Sequence, residues 1–347
     1  MTEKLNISLS PHIHGGYSTR KLMWLVVASL IPALLIALWT FGVGALVVTC
    51  ICIGSCLLTE WIITQFVMRK PVTIFDGSAM ITGILLAFNL PSILPWWMAV
   101  IGSVVAIGIG KMSFGGLGCN IWNPALVGRV FLLISFPAAM TTWPAGVDAG
   151  ASLIATTGAS TPLGELDAHS GATLLSMMKS NPAESLDPDY LGMMIGNMNG
   201  SLGEVGSFAL LAGAIFLICM RVITWHIPVA VLGSAAFFSW VFGGNPILDL
   251  FAGGLILGAC YMATDYVTSP MTVKGKIIFG VLIGLITIII RRFGSYPEGV
   301  SFAILLMNSF TPLINRYCRP LPFGEKERRA LQKEMKKKEA AAVSKAS

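Results

Sequence analysis

Long apolar runs separated by short polar or Gly/Pro-rich breaks dominate the chain. A helix that crosses a bilayer needs roughly 20 mostly apolar residues. Runs near that length lie at 22–41, 43–68, 78–94, 95–112 and 122–140, and again at 205–223, 226–242, 248–263, 277–291 and 299–315. The runs at 78–94 and 248–263 are short and rich in glycine. Between the two sets lies a polar segment, 141–204, too long to be a mere connector. The pattern predicts an all-α integral membrane protein with about ten transmembrane helices. It divides the chain into an N-terminal arm (1–21), a first five-helix repeat (22–140), the polar segment (141–204), a second five-helix repeat (205–316) and a basic tail (317–347).

Composition strengthens this reading. Hydrophobic residues make up 55% of the chain and charged residues only 12%, with a mean hydropathy of +0.77. A soluble domain carries about 25% charged residues. Most of this surface therefore does not face water. The net charge of +6 would suggest an anionic partner in a soluble protein, but here the placement of charge carries the information, and no nucleic-acid partner is implied. One set of connections holds Lys4, Arg20, Lys21, Arg69, Lys70, Lys111, Arg221, Lys274, Lys276 and the basic tail. The opposite set holds Lys179, Arg291 and Arg292. Cytoplasmic loops are enriched in Lys and Arg, so both termini are expected in the cytoplasm and 141–204 outside. Arg291 and Arg292 break the pattern, and topology gives no reason for them. The first apolar run lacks a small-residue cleavage site and reads as a retained helix, not a signal peptide.

The two sets of runs look related. Thr82-Gly-Ile-Leu-Leu-Ala87 resembles Gly253-Gly-Leu-Ile-Leu-Gly258, with Asp76 or Asp249 upstream and a Pro/Thr-rich break downstream. An odd number of spans per half gives the halves inverted topology. Inverted repeats with interrupted short helices are how many transport proteins build a midplane site.

Residues able to do chemistry are few. None of the seven cysteines forms a CxxC pair, and six sit in or beside apolar runs as small filler. Cys119 lies in a Gly-rich loop, but one thiolate does not hold a cluster. His12 and His14 have no evident third ligand, so no metal site is predicted. Intramembrane acids are costly and usually functional. Asp76 and Asp265, at the ends of the short runs, read either as helix caps or as groups that contact a cofactor or a cation. Glu60 is a weaker candidate for the ion pathway. Gly115, Gly116, Gly118 and Asn120 could present backbone amides to a cofactor ring, or simply turn the chain between helices.

The outer segment contains Asp167-Ala-His-Ser-Gly-Ala-Thr173. Ser170, Gly171 and Ala172 are small and flexible, and the Thr173 hydroxyl can be esterified. Taken alone, these residues also suit an ordinary polar loop. The stretch resembles the acceptor motif of the transferase that attaches FMN to threonine through a phosphoester, placed as in the NqrB/RnfD family of membrane redox subunits. Further family-like segments are Phe75-Asp-Gly-Ser-Ala-Met-Ile-Thr-Gly83, Gly110-Lys-Met-Ser-Phe-Gly-Gly-Leu-Gly-Cys-Asn-Ile-Trp-Asn-Pro124, Met262-Ala-Thr-Asp-Tyr-Val-Thr-Ser-Pro270 and Tyr296-Pro-Glu-Gly-Val-Ser-Phe-Ala-Ile-Leu-Leu-Met-Asn308. Length and the N-terminal Ser10-Pro-His-Ile-His14 fit the D subunits of Rnf complexes better than the longer B subunits of Na⁺-translocating NADH:quinone reductases. Two positions depart from the family pattern: Cys119, where a polar residue is expected, and Tyr266, where proline is expected. A second acceptor-like stretch, Thr157-Gly-Ala-Ser-Thr161, has serine at the acceptor position and Ile154 in place of the aspartate.

The resemblance implies a subunit of an ion-translocating ferredoxin:NAD⁺ oxidoreductase in the cell inner membrane. Covalent FMN is expected on Thr173, and a second, noncovalent flavin, riboflavin, among the helices. Gly115, Gly116, Asn120, Asp265 and Thr268 are the expected contacts of that second flavin, and Asp76 and Asp265 the expected ion-pathway carboxylates. The implied partners are the other Rnf subunits, a flavin transferase, and Na⁺ or H⁺. The competing reading is a solute channel or transporter of the same architecture with no redox role.

Overall fold

The computed structural model describes residues 18–70, 73–143, 175, 192, 200–294, 296, 298–319, 324, 325, 328 and 332. Asp167, Ser170, Gly171, Ala172 and Thr173 lie outside the described residues, as do His12, His14, the stretch 157–161 and most of the basic tail. All regular structure among the described residues is helical, which makes the protein an all-α integral membrane protein. Four helical stretches, Thr19–Phe41, Val43–Val67, Trp96–Phe114 and Val273–Phe293, are long and apolar enough to cross a membrane, and shorter apolar helices pack among them.

In chain order the helices are α1 (Thr19–Phe41), α2 (Val43–Ile62, continued by a π-helical turn to Val67), α3 (Ser78–Phe88), α4 (Trp96–Gly108), α5 (Pro124–Ser135) and α6 (Pro137–Thr141). After the polar segment 141–204 come α7 (Ser207–Cys219), α8 (His226–Val241), α9 (Pro246–Phe251), α10 (Leu255–Leu257, continued by a π-helical turn, Gly258–Met262), α11 (Val273–Phe293) and α12 (Val300–Tyr317). Starts are set by side chains that accept the first free amides. The Ser18 hydroxyl accepts from Lys21 N at 3.2 Å. Asn123 accepts from Ala125 N at 3.1 Å, with Pro124 at the first helical position. Thr272 accepts from Gly275 N at 3.1 Å.

Pairings recur across the chain. α2 packs on α4 and α8 on α11, α4 on α5 and α11 on α12, while α1 meets α7 and α5 meets α12. With water absent, helices associate through close packing, which small residues allow. A Cβ on Gly83 of α3 would lie 2.7 Å from Ile53 Cα in α2, and one on Gly284 of α11 would lie 2.8 Å from Val231 O in α8.

Two of the apolar runs are interrupted where the sequence suggests continuous spans. α3 stops at Phe88, and the chain then turns through Asn89, Pro91 and Pro95 into α4. The run 248–263 breaks at Gly253 and Gly254, both at positive φ (73° and 63°). A break frees carbonyls that lipid cannot satisfy. Arg291 supplies the donors at the second break, to Asp249 O, to Ala252 O at 2.8 Å and to Gly253 O at 3.4 Å. Asp249 balances the charge, pairing with Arg291 at 3.6 Å and with Arg292 at 3.0 Å, and its carboxylate accepts from Ser239 Oγ at 2.5 Å. These contacts explain the two arginines for which charge asymmetry gives no reason. At the first break the amide of Gly203 donates to Phe88 O at 2.8 Å. The Asn89 side chain donates to Leu85 O at 2.6 Å and accepts from Arg129 Nη1 at 2.6 Å, and Arg129 pairs with Glu298 from the other half.

Candidate functional site

At the end of the molecule where α1 begins, a cavity of ≈ 800 Å³, counted with the open solvent it contains, lies between the two halves. Its walls come from α1 (Leu22, Met23, Val26), α3 (Ser78, Ile81, Thr82, Leu85), the 111–124 turn and the Cys260–Val267 stretch. A mostly apolar pocket with a few convergent polar groups is the usual form of a cofactor site. The charged residues on its wall are Lys111 and Asp265.

Asp265 follows the π-helical turn, where the chain leaves the helix. Thr268 Oγ1 donates to its carboxylate at 3.3 Å and Asn120 Nδ2 at 3.5 Å. The loop is pinned from behind. Thr311 Oγ1 donates to Thr268 O at 2.8 Å, and Asn123 Nδ2 donates to Met262 O at 3.2 Å. Asn120 thus reaches Asp265 across the junction between the halves. Gly115, Gly116 and Gly118 all have positive φ (115°, 104° and 92°). They bend the 111–120 turn so that Leu117 and Asn120, rather than the glycines, reach the cavity. Cys119 is exposed on that turn. Tyr266, in place of the expected proline, lines the cavity and donates its hydroxyl to Val222 O.

Asp76 does not line the cavity. It precedes α3 and accepts from Ser78 N at 2.8 Å and Ser78 Oγ at 2.6 Å, holding the start of that helix. Of the residues expected from the sequence, Asn120, Asp265 and Thr268 come together, Gly115 and Gly116 shape the turn that carries Asn120, and Asp76 sits behind Ser78.

Lys111 is the residue that sequence reasoning misplaces. Charge patterning groups it with the loop cations, yet it is 2% exposed. Its Nζ lies 2.7 Å from Glu60 Oε2 and donates to Ser78 Oγ at 2.6 Å. Glu60 is 0% exposed, and its other oxygen accepts from Thr73 Oγ1 at 3.0 Å. The available signal is the acid itself: an intramembrane carboxylate demands a cation, and Lys111 follows an apolar run.

The family model described as NQR2, RnfD, RnfE matches residues 6–324. The chain is also similar to the D subunits of three redox complexes. That of a proton-translocating ferredoxin:NAD⁺ oxidoreductase complex from Clostridium ljungdahlii is 43% identical, over 92% of this chain and 96% of its own. That of a Na⁺-translocating ferredoxin:NAD⁺ oxidoreductase complex from Acetobacterium woodii is 44% identical, over 92% and 95%. That of an ion-translocating oxidoreductase complex from Escherichia fergusonii is 36% identical, over 92% and 99%. A match over this much of the chain means that the chain belongs to the NQR2, RnfD, RnfE family.

Proposed function

We propose that this chain is the membrane flavoprotein subunit of an ion-translocating ferredoxin:NAD⁺ oxidoreductase complex, with FMN esterified to Thr173 and a second, noncovalent flavin, riboflavin, in the cavity between the halves. The observation that carries the reading is the complete acceptor motif, Asp167 to Thr173, in a chain 43% and 44% identical to subunits of such complexes. The proposed topology has both termini in the cytoplasm of a cell whose inner membrane holds the complex, segment 141–204 outside, and two inverted five-helix repeats. Recurrent packing supports the repeats, since the second apolar run packs on the fourth in each half, α2 on α4 and α8 on α11. The Met271 amide donates to Asn315 Oδ1 at 3.1 Å, which puts the end of α12 beside the cavity end of the molecule where α1 starts and so supports termini on one side.

A flavin supplies reversible uptake of one or two electrons, chemistry that no side chain here offers. The chain's own residues do the rest. Leu22, Val26, Ile81 and Leu85 exclude water from one side of the cavity, Asn120 and Asp265 present polar atoms to it, and Thr268 orients Asp265. The Asp265 carboxylate is held by the Asn120 and Thr268 side chains and by the Val267 and Tyr266 amides, which fixes its place on the wall. The complexes to which the relatives at 43% and 44% identity belong move different ions, protons in one and Na⁺ in the other.

The test is in-gel fluorescence under ultraviolet light, with the flavin transferase co-expressed. The wild-type band should fluoresce and Thr173→Val, which removes only the hydroxyl, should not. Fluorescence retained in Thr173→Val moves the ester to Ser160 or Thr161. A dark wild-type band favours the channel reading, which needs no flavin.

A further inference from the structure

We propose that Lys111, held by Glu60, is the positive pole of the cavity and raises the reduction potential of the isoalloxazine ring bound there. The assignment rests on the flavin reading above and deepens it.

Lys111 combines burial with a place on the cavity wall. An ammonium has three donors. Among the described residues two are used, toward Glu60 Oε2 and Ser78 Oγ. Ser78 Oγ donates its one proton to Asp76, so it must accept from Lys111, which fixes the direction of that bond. Thr73 holds Glu60 from the far side. The chain Thr73–Glu60–Lys111–Ser78–Asp76 therefore fixes the ammonium and leaves a donor for a ligand. Lys111 is the member of the pair on the cavity wall, with Glu60 behind it.

The consequence is electrostatic. Reduction of the ring at neutral pH takes up two electrons and one proton, so a neutral ring becomes a monoanion. A fixed cation on the wall of the site would favour the anion and leave the neutral form nearly untouched, which would raise the potential. The low dielectric of the buried site strengthens the effect. Glu60 opposes it, and the two charges therefore tune the ring in opposite senses.

The experiment is a redox titration of the flavin absorbance of the purified complex, in a Thr173→Val background that removes the covalent FMN from the signal. Noncovalent flavin released on denaturation is measured alongside. The assignment expects Lys111→Met to lower the midpoint, Glu60→Gln to raise it, and Lys111→Arg to stay close to the parent. Where Lys111→Met fails to insert, the Lys111→Met/Glu60→Gln pair leaves no buried charge unpaired, and its midpoint should lie below that of Glu60→Gln alone. Equal midpoints in all variants, or shifts of one sign for both single charge removals, at unchanged flavin content, overturn it. Absence of noncovalent flavin from the parent complex removes the second flavin of the proposed function, and this assignment with it.

Discussion

Lys111 Nζ lies 2.7 Å from Glu60 Oε2, with both side chains shielded from solvent. The pair joins the end of α2 to the turn after α4, two elements 51 positions apart in sequence. Removing one partner leaves a lone buried charge, which costs about 3–5 kcal/mol, whereas replacing both with apolar residues is often neutral. Glu60→Ala or Lys111→Ala should therefore depress the thermal stability of detergent-purified protein strongly, and Glu60→Leu/Lys111→Met should recover most of it. A double variant no better than the worse single one would mean that the pair does not hold these elements.

Arg291 caps three carbonyls at the break around Gly253. A planar fork can reach several acceptors at once, whereas a lysine is a point charge with a different reach. Arg291→Lys should consequently destabilise almost as much as Arg291→Ala, on the order of 3 kcal/mol. Thermal denaturation followed by size-exclusion of the surviving fraction measures both, and full stability in Arg291→Lys would contradict the capping role.

Close helix contact at Gly83 leaves no room for a side chain, because a Cβ there would meet Ile53 Cα at 2.7 Å, backbone against backbone. Overpacking of this kind costs about 1–3 kcal/mol. Gly83→Ala should lower stability by that amount, and Gly54→Ala on α2, where a Cβ meets nothing within 4 Å, should be close to neutral. Helix propensity favours alanine at both positions, so a Gly83→Ala variant as stable as Gly54→Ala would show that the contact does not limit the packing.

Asp265 and Asp76 are separable by function. Asp265 lines the cavity and Asp76 does not. Asp265→Asn should reduce noncovalent flavin content or ion-coupled electron transfer while the protein still inserts. Asp76→Ala should act mainly on the start of α3, at about 1 kcal/mol as for a lost cap. Wild-type coupling and flavin content in Asp265→Asn would leave that residue a structural group.

Membrane orientation is checked by reporters fused after Ser347. A cytoplasmic reporter should be active there and a periplasmic one silent. The reverse outcome would put the acceptor segment on the wrong side for an exported transferase.

The linear pattern by itself determined the class of the protein and most of its helices. The apolar runs beginning at 22, 43, 78 and 226 start within a few residues of the helices the structure contains, because lipid demands apolar side chains and satisfied backbone over each whole span. Motif segments likewise made the family legible, and Asn120, Asp265 and Thr268 meet as their motifs suggest. Tertiary structure alone decided the rest. Asn120 and Asp265 are 145 positions apart, and their meeting depends on how the halves pack. Lys111 resembles a loop cation because it stands where an apolar run gives way to the Gly-rich turn at 113–120, yet packing buries it against Glu60. Arg291 and Arg292 look misplaced because charge asymmetry describes loops, whereas their role is to neutralise Asp249 and cap a broken helix. Hydropathy sums residues along the chain, while the cost of a buried charge is decided by which group lies across from it in space.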